Sequence, residues 1–255
     1  MKKNVIYYKD ELNDEFSDAK IIPRKIDETY KYTHKNPIWN IASVIIQNVL
    51  SMPIKVGYAK IKFKIKYIGK EKIKKFKNEG YFVYVNHTQP FADTFIPSIP
   101  IYPKRNFFIV NPENVSMKNM QTLVELLGAI PIPGNKDAMK NFLYAIENNI
   151  EKNNAITIYP EAHIWPFYTK IRSFRDVSFK YPVKLNKPAF CMTNTYQSYG
   201  KKVRIVTYID GPFYPNYSLK NVKEQQKDLR NQIYNCMVER SKNSNIEVIK
   251  YIKQV

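Results

Sequence analysis

Glycine is scarce in this chain, seven residues in 255, while proline reaches sixteen. No GxGxxG run and no GxxxxGKS/T run occurs, so dinucleotide binding and P-loop phosphate chemistry have no support. Cysteine is scarcer still. Cys191 and Cys236 make neither a disulfide framework nor a metal-ligand spacing, and no metal or resident cofactor is expected. Acidic residues are outnumbered, 22 Asp and Glu against 41 Lys and Arg, which leaves a formal charge of +19. No zinc finger, RRM signature or basic region with heptads accompanies that charge, so a nucleic-acid partner is not expected. The lysine-rich N-terminus lacks a secretory pattern, which makes a reducing cytosolic setting the expectation.

What is present begins with the lysine surplus, spread along the whole chain. Such a field steers a protein toward a polyanionic surface, and an anionic membrane leaflet fits. Solvated lysine faces account for part of it. One stretch, residues 36–54, carries no charge at all. Ile38, Ile41, Ala42, Ile45, Val49 and Met52 recur there at helical spacing, and Asn40, Ser43, Gln47 and Ser51 form a narrow polar stripe. Pro37 suits the first turn and Pro53 the end. Amides and hydroxyls interrupt the segment too often for a plain membrane span. Trp39 near one end and Lys55 past the other suit an amphipathic helix lying in the membrane interface. A helix packed on the core fits the same pattern.

Residues 60–67 (KIKFKIKY) alternate, which predicts a half-exposed strand with lysines on one face. Apolar strands are expected at 82–85, 106–110, 155–159, 188–193 and 203–209 and a short strand or extended turn at 129–133, with a basic helix or turn at 70–77, helices at 115–127, 138–151 and 221–240 and a shorter helix after the last. Strands alternating with helices over residues 60–210 imply an α/β fold, a mostly parallel sheet flanked by helices. Residues 1–58 read as an arm plus the interfacial helix and 59–255 as the α/β domain with basic C-terminal helices. His34 falls in the arm as a surface residue.

The chain has three histidines, and only His87 sits where a strand hands over to a loop. The strand 82–85 runs straight into Asn86, His87, Thr88, Gln89, Pro90, Phe91, Ala92 and Asp93. Strand ends in open α/β sheets are where catalytic groups collect. A histidine there with an acid close behind fits a general base held by a carboxylate. Asp93 also suits an N-cap for the next element.

These residues resemble the phospholipid and glycerol acyltransferase superfamily, the bacterial 1-acylglycerol-3-phosphate acyltransferases among them. The first motif of that family is Asn-His, four residues, then Asp, directly after a strand. Asn86, His87 and Asp93 match it with five intervening residues, a variant spacing of the NHTQP type. The third motif is an apolar strand ending in Phe-Pro-Glu-Gly-Thr-Arg-Ser. Here Tyr159, Pro160 and Glu161 match its first half, and Ala162, His163 and Ile164 replace the Gly-Thr-Arg portion. The second motif, a glycine turn with an arginine, is occupied by residues 128–133 without the arginine. Residues 186–190 fit the proline-entered fourth motif loosely.

The resemblance implies transfer of a fatty acyl group from a coenzyme A or acyl carrier protein thioester to a lysophospholipid hydroxyl. The most direct acceptor is 1-acyl-glycerol-3-phosphate. His87 would be the base and Asp93 its orienting acid, with Asn86 and Glu161 on the substrate. The phosphate-binding arginines of motifs two and three are missing, so Lys170, Arg172 and Arg175, just downstream, are candidates for the phosphate, with Arg105 a further one. The alternatives are another lysolipid or lipid alcohol as acceptor, or a peripheral lipid-binding protein of the same fold without activity. His163 would line the pocket or pair with Glu161. Attachment to the cytoplasmic face of the cell membrane follows from the same resemblance.

Overall fold

The computed structural model describes residues 4–16 and 21–254. In chain order the strands are Asn4–Tyr8 (β1), Lys66–Ile68 (β2), Tyr81–Val85 (β3), Asn106–Val110 (β4), Ala129–Pro131 (β5), Ala155–Ile158 (β6), Ala189–Tyr199 (β7), Lys202–Phe213 (β8) and Ile249–Lys253 (β9). The helices are Pro37–Val44 (α1), Ser51–Phe63 (α2), Lys70–Lys74 (α3), Phe95–Ile101 (α4), Gln121–Leu126 (α5), Lys136–Glu151 (α6), Lys180–Leu185 (α7) and Val222–Ser241 (α8).

Strand β3 is buried along its whole length. That is why it reads as an unbroken apolar run rather than an alternation. It lies in the middle of a seven-stranded sheet of order β2-β8-β7-β3-β6-β4-β5. Every neighbouring pair is parallel except β7 with β8. Phe82 and Tyr84 pack with α6 and α8 through Phe142, Ile146, Leu229 and Ile233. Tyr81, Val83 and Val85 pack on the other face with Ile73 of α3 and Ile101 of α4. The expected mostly parallel sheet flanked by helices is present. Its central strand delivers the residues that follow Val85 to the strand's C-terminal end.

Four local expectations are corrected. The helix does not stop near Pro53. A wide π-helical turn, Ile45–Leu50, joins α1 to α2, and the continuous helix runs from Pro37 to Phe63. A wide turn is where a helix can absorb a residue with no N–H and a bulky ring. Residues 60–63 are therefore helical, not strand. The lysine alternation there conceals a spacing of four: Lys55, Ala59 and Phe63 all turn inward. Lys64, left-handed at φ 47°, ends the helix, and only Lys66–Ile68 pairs with the sheet. The helix thus crosses the division drawn at residue 58. Residues 115–127 are a 3-10 turn, Pro112–Val115, followed by the short α5. After α8 comes strand β9, not a helix, and it pairs in parallel with β1. No local pattern announces a pairing between the two ends of a chain.

The long helix has its polarity reversed. Ser43, Gln47 and Lys55 face the protein and are buried. Ser43 Oγ and Gln47 Nε2 both donate to the Leu126 carbonyl, at 2.6 and 2.9 Å. Ile38, Ile41, Val49, Leu50, Ile54 and Ile61 point outward, with Ile38 74% and Ile61 75% exposed. Exposed Phe91, from the loop after β3, meets Tyr58 of this helix at 5.5 Å between ring centres. An apolar face of this size on a charged protein marks an interaction surface.

Candidate active site

Residues 86–94 leave the end of β3 as a tightly held loop before α4. His87 donates its backbone N–H to Glu161 Oε2 at 2.9 Å. Its carbonyl accepts from the Trp165 N–H at 3.1 Å, and the Thr88 carbonyl accepts from the Phe167 N–H at 2.9 Å. Gln89 Nε2 donates to the Tyr196 hydroxyl at 2.7 Å, which itself bonds Thr88 Oγ1 at 2.8 Å. The loop is therefore fixed from two sides, by the segment after β6 and by β7.

Within it, His87 Nδ1 lies 2.5 Å from Asp93 Oδ2. The same carboxylate oxygen accepts the Gln89 N–H at 3.1 Å. Asp93 is buried, whereas the His87 side chain keeps 24% of its surface exposed. Burial raises the Asp93 carboxyl above its ordinary range, and the bond to His87 opposes that rise. A buried carboxylate gains most when the ring beside it carries a proton on both nitrogens. Tyr159 stacks on the imidazole, 4.5 Å between ring centres and 27° between planes. The Tyr159 hydroxyl donates to the Asp93 carbonyl oxygen at 2.6 Å, and burial keeps that phenol neutral. Among the described residues no side chain takes Nε2, so the ring has one nitrogen held and one available.

Three of the expected substrate groups have other work. The Asn86 amide is buried and bonds β7 with both ends: Nδ2 donates to the Asn194 carbonyl at 3.1 Å and Oδ1 accepts the Asn194 N–H at 2.8 Å. Glu161 is buried, and its two oxygens accept the backbone N–H groups of His87 and Arg172, both at 2.9 Å. Arg172 is not placed to clamp a phosphate. It is 1% exposed, its guanidinium lies 3.5 Å from Glu161, and it donates to the carbonyls of His163 and Glu11. Its spacing in the sequence could not distinguish a solvated loop cation from a buried brace. Lys170 and Arg175 are exposed. Arg105 donates to Gln47 and Ser43 of the long helix, at 3.2 and 2.5 Å, away from the His87 loop. His163 sits 3.4 Å from Glu15 rather than on the Glu161 carboxylate.

Two contributors went unnoticed in the sequence. Tyr159 had a signal, since it directly precedes Pro160 and Glu161. Asn194 had none, because its backbone meets Asn86 only through the sheet. Gly128 opens the second motif region at φ +98°, and a Cβ there would meet the Asn106 carbonyl oxygen at 2.9 Å. The turn requires glycine.

A family model described as Acyltransferase matches residues 64–196, more than half of the chain. The chain belongs to the acyltransferase family. His87, Asp93, Tyr159, Glu161 and Arg172 all fall inside the matched span. The architecture is similar to the crystal structure of the 1-acyl-sn-glycerophosphate (LPA) acyltransferase, PlsC, from Thermotoga maritima. The TM-score is 0.55 at 15% identity, covering 81% of this chain and 88% of that one, which is a likeness of fold. Comparison with curated proteins finds no match.

In this acyltransferase, removing charge from Glu161 leaves Arg172 buried without a counter-ion. Glu161→Gln should lower unfolding stability by about 3 kcal/mol, the scale for breaking one partner of a buried pair. Chemical denaturation measures it, and an unshifted midpoint would show that the Glu161–Arg172 pair does not hold the fold.

Proposed function

We propose that this chain transfers a fatty acyl group from an acyl thioester to the hydroxyl of a lysophospholipid, with 1-acyl-glycerol-3-phosphate as the first acceptor to test. The observation that supports this most is the partly exposed His87 ring, fixed at Nδ1 by buried Asp93 and open at Nε2. An alcohol is a weak nucleophile at neutral pH, so a base must remove its proton as it attacks. In this reading Nε2 takes the proton from the acceptor hydroxyl while the oxygen adds to the thioester carbonyl. The tetrahedral adduct collapses, the carbon–sulfur bond breaks, and the leaving thiolate takes the proton back from the imidazolium. Asp93 holds the ring's tautomer and faces the positive charge while it exists. No acyl-enzyme is needed, since the acceptor supplies the nucleophile. The donor is a coenzyme A or acyl carrier protein thioester. Exposed Lys170 and Arg175 are the remaining cations for an acceptor phosphate.

A second acceptor class, another lysolipid or a lipid alcohol, is favoured by one specific observation. The second motif region lacks its arginine, and Arg172 is committed to Glu161. A phosphomonoester therefore has fewer fixed cations here than the family pattern provides.

Membrane attachment is part of the proposal. The helix Pro37–Phe63 is long and apolar enough to cross a bilayer. Its outward aliphatic stripe with an inward polar one suits lying in the interface, and the lysine surplus adds attraction to anionic lipid. The cytoplasmic leaflet is the surface meant.

Purified protein, offered a panel of lysolipids with acyl-thioester donors, should form a diacyl product from at least one acceptor. His87→Ala should lower kcat by roughly a thousandfold, within the range for losing a general base, with an unchanged circular dichroism spectrum. Turnover equal to the parent in that variant would exclude the base. For attachment, Ile54→Asp with Ile61→Asp should abolish co-sedimentation with anionic vesicles, since a charge on the buried face costs a few kcal/mol at depth. Undiminished binding would rule out this helix as the anchor.

A further inference from the structure

Sequence spacing hides a second cluster of reactive side chains, shared by β7, β8 and α8. Cys191 of β7 and Cys236 of α8 are both free thiols. They stand 45 positions apart in the chain, and their sulfurs are 3.7 Å apart. Asp210 of β8 is the cross-strand partner of Cys191 in the sheet register. One ligand atom from each of these three side chains lies within 4.8 Å of the others.

We propose that Cys191, Cys236 and Asp210 form a binding site for a soft divalent cation, zinc by preference. Two thiolates about 2.3 Å from a tetrahedral zinc stand about 3.8 Å apart, which is the separation seen here. Thiolate donors select such an ion over calcium or magnesium. The carboxylate is already prepared. Asp210 Oδ1 accepts from Lys72 at 2.7 Å and Arg240 at 2.8 Å, and Oδ2 accepts from Arg240 at 2.7 Å. A carboxylate has about four acceptor positions, so Oδ2 retains one for a metal. Outer partners of this kind orient a metal-bound carboxylate.

The charges balance acceptably. Metal uptake releases one proton from each thiol to solvent, leaving three anionic ligands around a dication, with Lys72 and Arg240 outside them. Cys191 is buried and Cys236 half-buried. Occupied, the site ties α8 to β7 and β8. Tyr84, the partner of Cys191 in β3, lies three residues before His87, so the tie sits beneath the strand that carries the base.

The test is titration of the reduced full-length protein with cobalt(II), a spectroscopic substitute for zinc. One equivalent should produce thiolate-to-cobalt charge-transfer absorbance, and zinc should displace it. Cys236→Ser, on the half-buried helix face, should lose the band while keeping its circular dichroism spectrum, and Cys191→Ser should lose it too. Zinc should raise the Tm of the parent and leave that of Cys236→Ser unchanged. No band in the parent, or an undiminished band in Cys236→Ser, overturns the proposal.

Discussion

The hydrogen bond between His87 Nδ1 and the buried Asp93 carboxylate is the contact on which the candidate site depends. It fixes which ring nitrogen is held and which is open. Gln89 turns its N–H onto the same carboxylate oxygen, so the acid is bonded by its own loop as well as by the ring. Tyr159 covers the imidazole face and ties down the Asp93 backbone, which couples β6 to the dyad.

A second constraint lies behind the first. Glu161 and Arg172, each almost without exposure, join the His87 backbone to the segment after β6. That segment is strapped by the chain ends. Trp165 Nε1 donates to the Asp14 carbonyl at 2.8 Å, Arg172 reaches the Glu11 carbonyl at 3.3 Å, and the Tyr251 hydroxyl donates to the Pro166 carbonyl at 2.8 Å. The β1–β9 pair thus closes over the brace that positions His87. Preorganisation of this kind is what lets a base sit at a usable angle without reorganising during the reaction.

The sheet, its central strand and the His87–Asp93 dyad were legible because each is local: a continuous apolar run, a strand end, and two residues in one loop. The roles of Asn86, Glu161 and Arg172 were not, since a buried brace and a substrate contact use the same residue types. Only neighbours from β7 and the N-terminal arm tell them apart. The long helix was half legible. Its apolar stripe was visible, but the inward turn of Ser43, Gln47 and Lys55 depends on the Leu126 carbonyl and on α4, far along the chain. The alternation at 60–67 misled because lysine stems and a four-residue spacing can mimic a strand over one turn. The N-terminal strand needed its partner at the other end of the chain to exist at all.

The most direct test of the account is steady-state acyl transfer by Asp93→Asn, with the acceptor and donor that the parent uses. Loss of the buried charge should lower kcat by roughly a hundredfold or more and leave KM for both substrates close to the parent value. Full kcat in that variant, with the fold intact, would contradict the claim that a carboxylate-held imidazole performs the chemistry.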